Sequence, residues 1–128
     1  MLVLAWDLDD VLCRRDANLE HLGVEKYRCC KPMERAIDAL NWCYDQGAKI
    51  VIYTARGMNQ FQGDVTAVEA NLRELTEQQL EDWGVKYHEL VMGKVHYDLL
   101  IDDKSTSLWQ DAKALVLRGR RSGFVPGE

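Results

Sequence analysis

The sequence predicts an α/β fold, a single domain of 128 residues with a mainly parallel sheet between two layers of helices. Three observations predict it. Short apolar runs of strand length alternate with stretches whose apolar residues recur at three- and four-residue spacing. The apolar runs lack proline and are rich in leucine, valine and isoleucine, as buried parallel strands are. Each run also ends in polar or charged residues, and in such sheets ligands gather beyond the carboxyl ends of the strands. Together they define a three-layer, Rossmann-like sandwich.

The first run is Leu2–Trp6, and three carboxylates follow at Asp7, Asp9 and Asp10. Like charges this close repel, so the cluster calls for a cation, an ion pair or a shared proton. Cys13 to Lys31 is mixed and charged and reads as a loop or small hairpin over the strand end. Arg14 and Arg15 read there as solvated charge, with contact to a substrate anion as the alternative. Pro32 suits the first turn of a helix. Met33, Ala36, Ile37, Leu40 and Tyr44 form its apolar stripe and Gly47 its cap.

Ala48 to Tyr53 reads as a strand buried on both faces, running into Thr54, Ala55, Arg56 and Gly57. After a loop from Met58 to Asp64, Thr66 and Glu69 form a capping box. Val65, Val68, Leu72 and Leu75 give a helical stripe, Thr76 with Gln79 marks a break, and Gly84 ends the helix. Val85 to Met92 is a half-buried strand leading to Gly93 and Lys94, with His96 read as a surface histidine. Tyr97 to Ile101 is a fourth strand ending in Asp102 and Asp103. Ser105 or Ser107 caps a last helix through Leu108, Trp109, Ala112 and Leu115, unless Ala114 to Leu117 begins a fifth strand. The tail from Arg118, with Arg120 and Arg121, reads as solvated terminus.

Composition narrows the function classes. The formal net charge of −5 argues against general nucleic-acid or anionic-membrane binding. No stretch approaches a membrane span of about 20 apolar residues. Cys13, Cys29, Cys30 and Cys43 contain no CxxC pair, so a reduced, cytosolic thiol set is expected. A zinc site of Cys13, Cys29, Cys30 and His21 is the minority reading.

The strand ends bring Asp7 and Asp9, Thr54, Lys94, and Asp102 and Asp103 to one edge of the sheet. Acids, a hydroxyl, an amine and further acids suit phosphoryl transfer. A carboxylate, Asp7, attacks phosphorus to give an aspartyl-phosphate. Mg²⁺, with oxygen ligands from Asp7 and Asp102, lets the two anions approach. Asp9 protonates the leaving alkoxide and then activates water. Thr54 and Lys94 hold the equatorial oxygens.

The segments DLDDVL, VIYTAR, Gly93–Lys94 and LLIDD resemble, in order, the four motifs of the haloacid dehalogenase superfamily. The resemblance covers nearly the whole chain. It implies Asp7 as nucleophile, Asp9 as general acid/base, Thr54 and Lys94 as the phosphate-orienting pair and Asp102 as a magnesium ligand. Asp103 lies in or next to the metal shell, and the backbone carbonyl of Asp9 is a further ligand. Ala55 and Arg56, beside Thr54, are expected to contact substrate. Two residues depart from the pattern: Val11 stands where many members carry threonine, and Asp10 where many carry glycine. Asp9 favours phosphatases over the dehalogenase branch.

About twenty residues between Leu12 and Pro32 are too few for a cap domain, so the resemblance implies a capless core. Capless members often use a neighbouring subunit to cover the site, or act on large substrates, so a homo-oligomer is one of two alternatives that the resemblance implies. The runs TARG, LEDWGVKYHELVMGK and IDDK are similar to small bacterial or phage phosphatases, including those of capsule and surface-polysaccharide synthesis. The expected activity is thus Mg²⁺-dependent hydrolysis of a small phosphorylated metabolite, such as a sugar phosphate. The alternative is a 3′-phosphatase for nucleic-acid ends. A receiver domain is the non-enzymatic reading, and it fits poorly because no aspartate ends a strand between Asp10 and Thr54.

Overall fold

The computed structural model describes residues 1–122, with side chains as far as Gly119. The arrangement is α/β. Strands β1 (Val3–Trp6), β4 (Lys49–Thr54) and β5 (Glu89–Met92) form a parallel sheet in the order β1-β4-β5. Leu4 aligns with Ile50, and Thr54 with Met92. A second, two-stranded antiparallel sheet pairs β2 (Cys13–Arg14) with β3 (Lys31–Pro32). A kinked 3-10 segment, Ala17–Cys29, joins them, where a loop or a small hairpin was expected.

Helix α1 (Glu34–Asp45) connects β1 to β4, and α2 (Val65–Asp82) connects β4 to β5. Both crossovers step the same way across the sheet, and right-handed connections then put both helices on one face. The side-chain alternation agrees. Leu4, Trp6, Ile50, Ile52, Leu90 and Met92 are buried beneath Ala36, Ile37, Leu40, Val68, Leu72 and Leu80. Helix α3 (Gln110–Ser122) packs against α1.

Several expectations change. The other sheet face is not covered by a helix among the described residues: Val3 is 58% exposed, and Tyr53 and Val91 are each 39% exposed. Two layers stand where three were expected, and β4 is buried on one face, because both crossovers fall on the same side. Tyr97 to Ile101 is not a strand. Leu99, Leu100 and Ile101 are exposed, and the outer edge of β1 has no paired strand among the described residues. An apolar run gains from strand formation only where a neighbouring edge takes its hydrogen bonds, and here it lies away from one.

Pro32 lies in β3, and α1 begins two residues later. Helix α2 is capped by Asp64, whose carboxylate accepts from the Ala67 N–H at 3.2 Å, and it runs unbroken through Thr76. The Thr76 hydroxyl donates to the Leu72 carbonyl at 2.7 Å, which satisfies it inside the helix. The final helix continues past Arg118 instead of ending in a tail, and no fifth strand forms from Ala114 to Leu117. The side chains of Arg120 and Arg121 lie outside the described residues. No described helix is long and apolar enough to cross a membrane.

Candidate functional site at the strand ends

Parallel pairing places Asp7, Thr54 and Lys94 beyond or at the carboxyl ends of β1, β4 and β5. The Lys94 N–H donates to the Thr54 carbonyl at 3.1 Å, which ties the two strand ends together. Gly93 precedes Lys94 with φ +91, and a Cβ there would meet the Val65 side chain at 3.0 Å. Glycine allows the turn that aims Lys94 back over the sheet edge. Its ammonium lies 3.6 Å from Asp7 Oδ2 and over the rings of Tyr53 and Tyr97, at 5.5 and 5.2 Å from their centres. Asp7 is 40% exposed, so its carboxylate faces solvent beside a cation. Its other oxygen accepts from the Leu8 N–H at 2.8 Å.

Asp9 is placed differently. The chain after β1 folds into a tight turn, where the N–H groups of Val11, Leu12 and Cys13 all point to the Leu8 carbonyl. Asp10 takes φ +68 in that turn. This is the left-handed region that suits glycine best and tolerates aspartate. Its carboxylate pairs with Arg15 at 2.9 Å. Asp10 thus shapes the turn, and the glycine of the resembling pattern was the available signal. Arg15 is thereby an ion-pair partner rather than a free anion contact.

The turn drives the Asp9 side chain inward onto Arg56. Arg56 Nε donates to Asp9 Oδ2 at 3.0 Å and Nη2 to Oδ1 at 2.8 Å. Its Nη1 donates to Gln79 Oε1 at 2.6 Å and to Thr76 Oγ1 at 3.2 Å. The Tyr27 ring lies 4.8 Å away. Burial works against the charge, but Asp9 outweighs it and holds the guanidinium above its ordinary value. All three nitrogens are engaged inside the protein, so the expected substrate contact is not available to Arg56 as placed. The Arg56 N–H donates to Thr54 Oγ1 at 3.0 Å, which leaves the buried Thr54 hydroxyl its own proton to donate.

Two thiols complete this inner cluster. Cys13 Sγ and Cys30 Sγ lie 3.5 and 3.7 Å from Asp9 Oδ1. Their mutual hydrogen bond and burial push Cys13 up, while the same bond pulls Cys30 down. Asp9, Cys13 and Cys30 form the one described group of three close metal-type donors, within 4.8 Å of each other. The zinc reading needed His21 and Cys29 as well, and neither belongs to this group.

The expected magnesium donors are not assembled. Asp7 faces Lys94, and the Asp9 side chain is held by Arg56. Asp102 is exposed, accepts from the Lys104 N–H at 2.9 Å and is held below the usual carboxylate range by that bond. Asp102 and Asp103 follow the unpaired 97–101 segment and share no described three-donor group with Asp7. The residues as placed therefore do not fit the ion, and no step is derived through it.

Among solved structures, the chain is similar to a structural-genomics target from Vibrio cholerae. The two share 26% identity with a TM-score of 0.72, over 92% of this chain and 98% of that one. The likeness supports the α/β arrangement across nearly the full length. No family model and no curated protein matches the chain.

Proposed function

We propose that the chain is a capless phosphomonoester hydrolase of the haloacid dehalogenase type, acting on a small phosphorylated metabolite such as a sugar phosphate. The observation that carries the reading is the half-exposed Asp7 carboxylate 3.6 Å from Lys94, at the carboxyl ends of parallel strands. In this reading an Asp7 oxygen attacks phosphorus and the leaving alkoxide departs with its electron pair. Lys94 offsets the charge on the phosphoryl oxygens, and the Thr54 hydroxyl supports the same end of the site. Proton transfer falls to Asp9, which must first leave the grip of Arg56. The capless core of that superfamily belongs to this proposal too.

An aryl phosphate assay tests the reading. Asp7→Asn should abolish turnover while leaving the thermal midpoint near that of the parent chain, because Asp7 is exposed. Retained turnover removes Asp7 as nucleophile. EDTA in the same assay tests the magnesium expectation. Loss that Mg²⁺ restores supports it, and indifference to chelation removes it. Sugar phosphates set against a 3′-phosphorylated oligonucleotide separate the two substrate classes.

A further inference from the structure

Cys13 and Cys30 are buried thiols that the proposed reaction does not use. They meet because β2 and β3 pair with Cys13 opposite Pro32 and Arg14 opposite Lys31. Side chains two residues apart share a strand face, so Cys30 returns to the side of Pro32 and hence of Cys13. Both sulfurs accept from Arg56 Nη2, at 3.8 and 3.9 Å, and both contact the same Asp9 oxygen. The cluster is thus two thiols packed against one ion pair.

A soft metal ion is one way to read such a cluster, but the geometry disfavours it. The Asp9 carboxylate is already neutralised by a guanidinium with a fully buried side chain, which touches both sulfurs. An incoming cation would face that fixed positive charge with only three ligands. Neighbouring sulfurs have a simpler reaction open to them. Cys29 is exposed and donates to the Glu25 carbonyl, and Cys43 is buried on α1, so neither joins the pair.

We propose that Cys13 and Cys30 are a reversible dithiol–disulfide pair that acts on the Asp9–Arg56 contact, with hydrogen peroxide as the oxidant. Cys30 is the entry point, being 8% exposed where Cys13 is fully buried. Its sulfur attacks one peroxide oxygen, the O–O bond breaks, and sulfenic acid and water form. The Cys13 sulfur then attacks the Cys30 sulfur, the S–O bond breaks, and a second water leaves with the Cys13 proton. Two thiols and one peroxide give one disulfide and two waters, and a small dithiol reverses the change. The sulfurs must close from within 4.8 Å to the ~2 Å of an S–S bond. Cys30 lies outside the two-residue ladder, at the end of the 3-10 segment. Oxidation removes both S–H groups from beside Asp9 Oδ1 and joins the two sulfurs that Arg56 Nη2 contacts.

The bond itself is independent of the phosphatase reading; its effect on turnover rests on that reading. The test treats the intact chain with peroxide, then denatures, alkylates and maps the peptides. The expected result is a Cys13–Cys30 linked peptide lighter by two hydrogens, with Cys29 and Cys43 alkylated and dithiothreitol restoring all four thiols. Aryl phosphate turnover should change at least several-fold on oxidation, return to its starting value with dithiothreitol, and be insensitive to peroxide in Cys30→Ser. Four results overturn the proposal: full alkylation of Cys13 and Cys30 after peroxide, a link to Cys29 or Cys43, stoichiometric Zn²⁺ that blocks oxidation, or a linked protein with unchanged turnover. A chain inactive in every state sinks the phosphatase reading and the effect on turnover together. The peptide map still decides the bond.

Discussion

Arg56 holds Asp9 in a two-point grip, with donor–acceptor distances of 3.0 and 2.8 Å, and its guanidinium is fully buried. Removing one partner strands the other charge away from water. Such losses cost about 3–5 kcal/mol. Arg56→Ala should therefore lower stability by that amount, and Asp9→Asn should also destabilise, because it leaves the guanidinium without its counter-charge. In urea unfolding, the double variant should cost less than the two single losses added together. Strict additivity would mean that the pair is not coupled.

Lys94 pairs with the Asp7 carboxylate, and its ammonium also lies over the rings of Tyr53 and Tyr97. Loss of one preorganised charge-stabilising group costs about 10²–10³-fold in turnover. On the proposed phosphatase reading, Lys94→Ala should show that drop in kcat for an aryl phosphate. A change confined to KM would reassign Lys94 to ground-state binding.

Gly57 follows Arg56 with φ +80, and a Cβ there would collide with Leu72 Cδ1 in the core. Backbone strain and overpacking act together in Gly57→Ala. About 1–3 kcal/mol of destabilisation should follow, read as a lower urea midpoint at unchanged slope. A neutral substitution would show that Leu72 has room to move. Because Gly57 N–H also donates to the Tyr27 hydroxyl at 3.1 Å, the same change should loosen the 3-10 segment in hydrogen exchange.

Burial pushes the Cys43 thiol above its ordinary value of 9.0, with Lys113 pulling weakly the other way. The folded chain therefore holds that proton more tightly than the unfolded chain does. Its contribution is complete below pH 9.0 and is lost as the pH rises toward the folded value. The slope reaches at most about 1.4 kcal/mol per pH unit for one such group. Thermal midpoints measured from about pH 8 to about pH 10.5 should fall more steeply in the parent chain than in Cys43→Ala. Equal slopes would remove the assignment.

Much of the fold was legible in the residues. Strand-length runs, the helical stripes of α1 and α2 and the glycine turns are local patterns, and local periodicity reports which face an element buries. Asp7, Thr54 and Lys94 are legible at one sheet edge because β1, β4 and the second half of the Val85–Met92 run end next to them. Helix starts were less legible. Asp64 and Thr66 both offer cap chemistry two residues apart, and only the backbone bends show which one is used.

The sequence by itself determined an α/β chain whose acidic first strand end lies beside a lysine. Tertiary structure alone decided what each acid does. Asp7 is open to solvent, Asp10 turns the chain, and Asp9 is turned inward onto Arg56, a residue distant in sequence. The fate of Tyr97–Ile101 was decided there too. Periodicity records the apolar character of a run, whereas its pairing depends on which edges the folded chain brings within hydrogen-bonding reach.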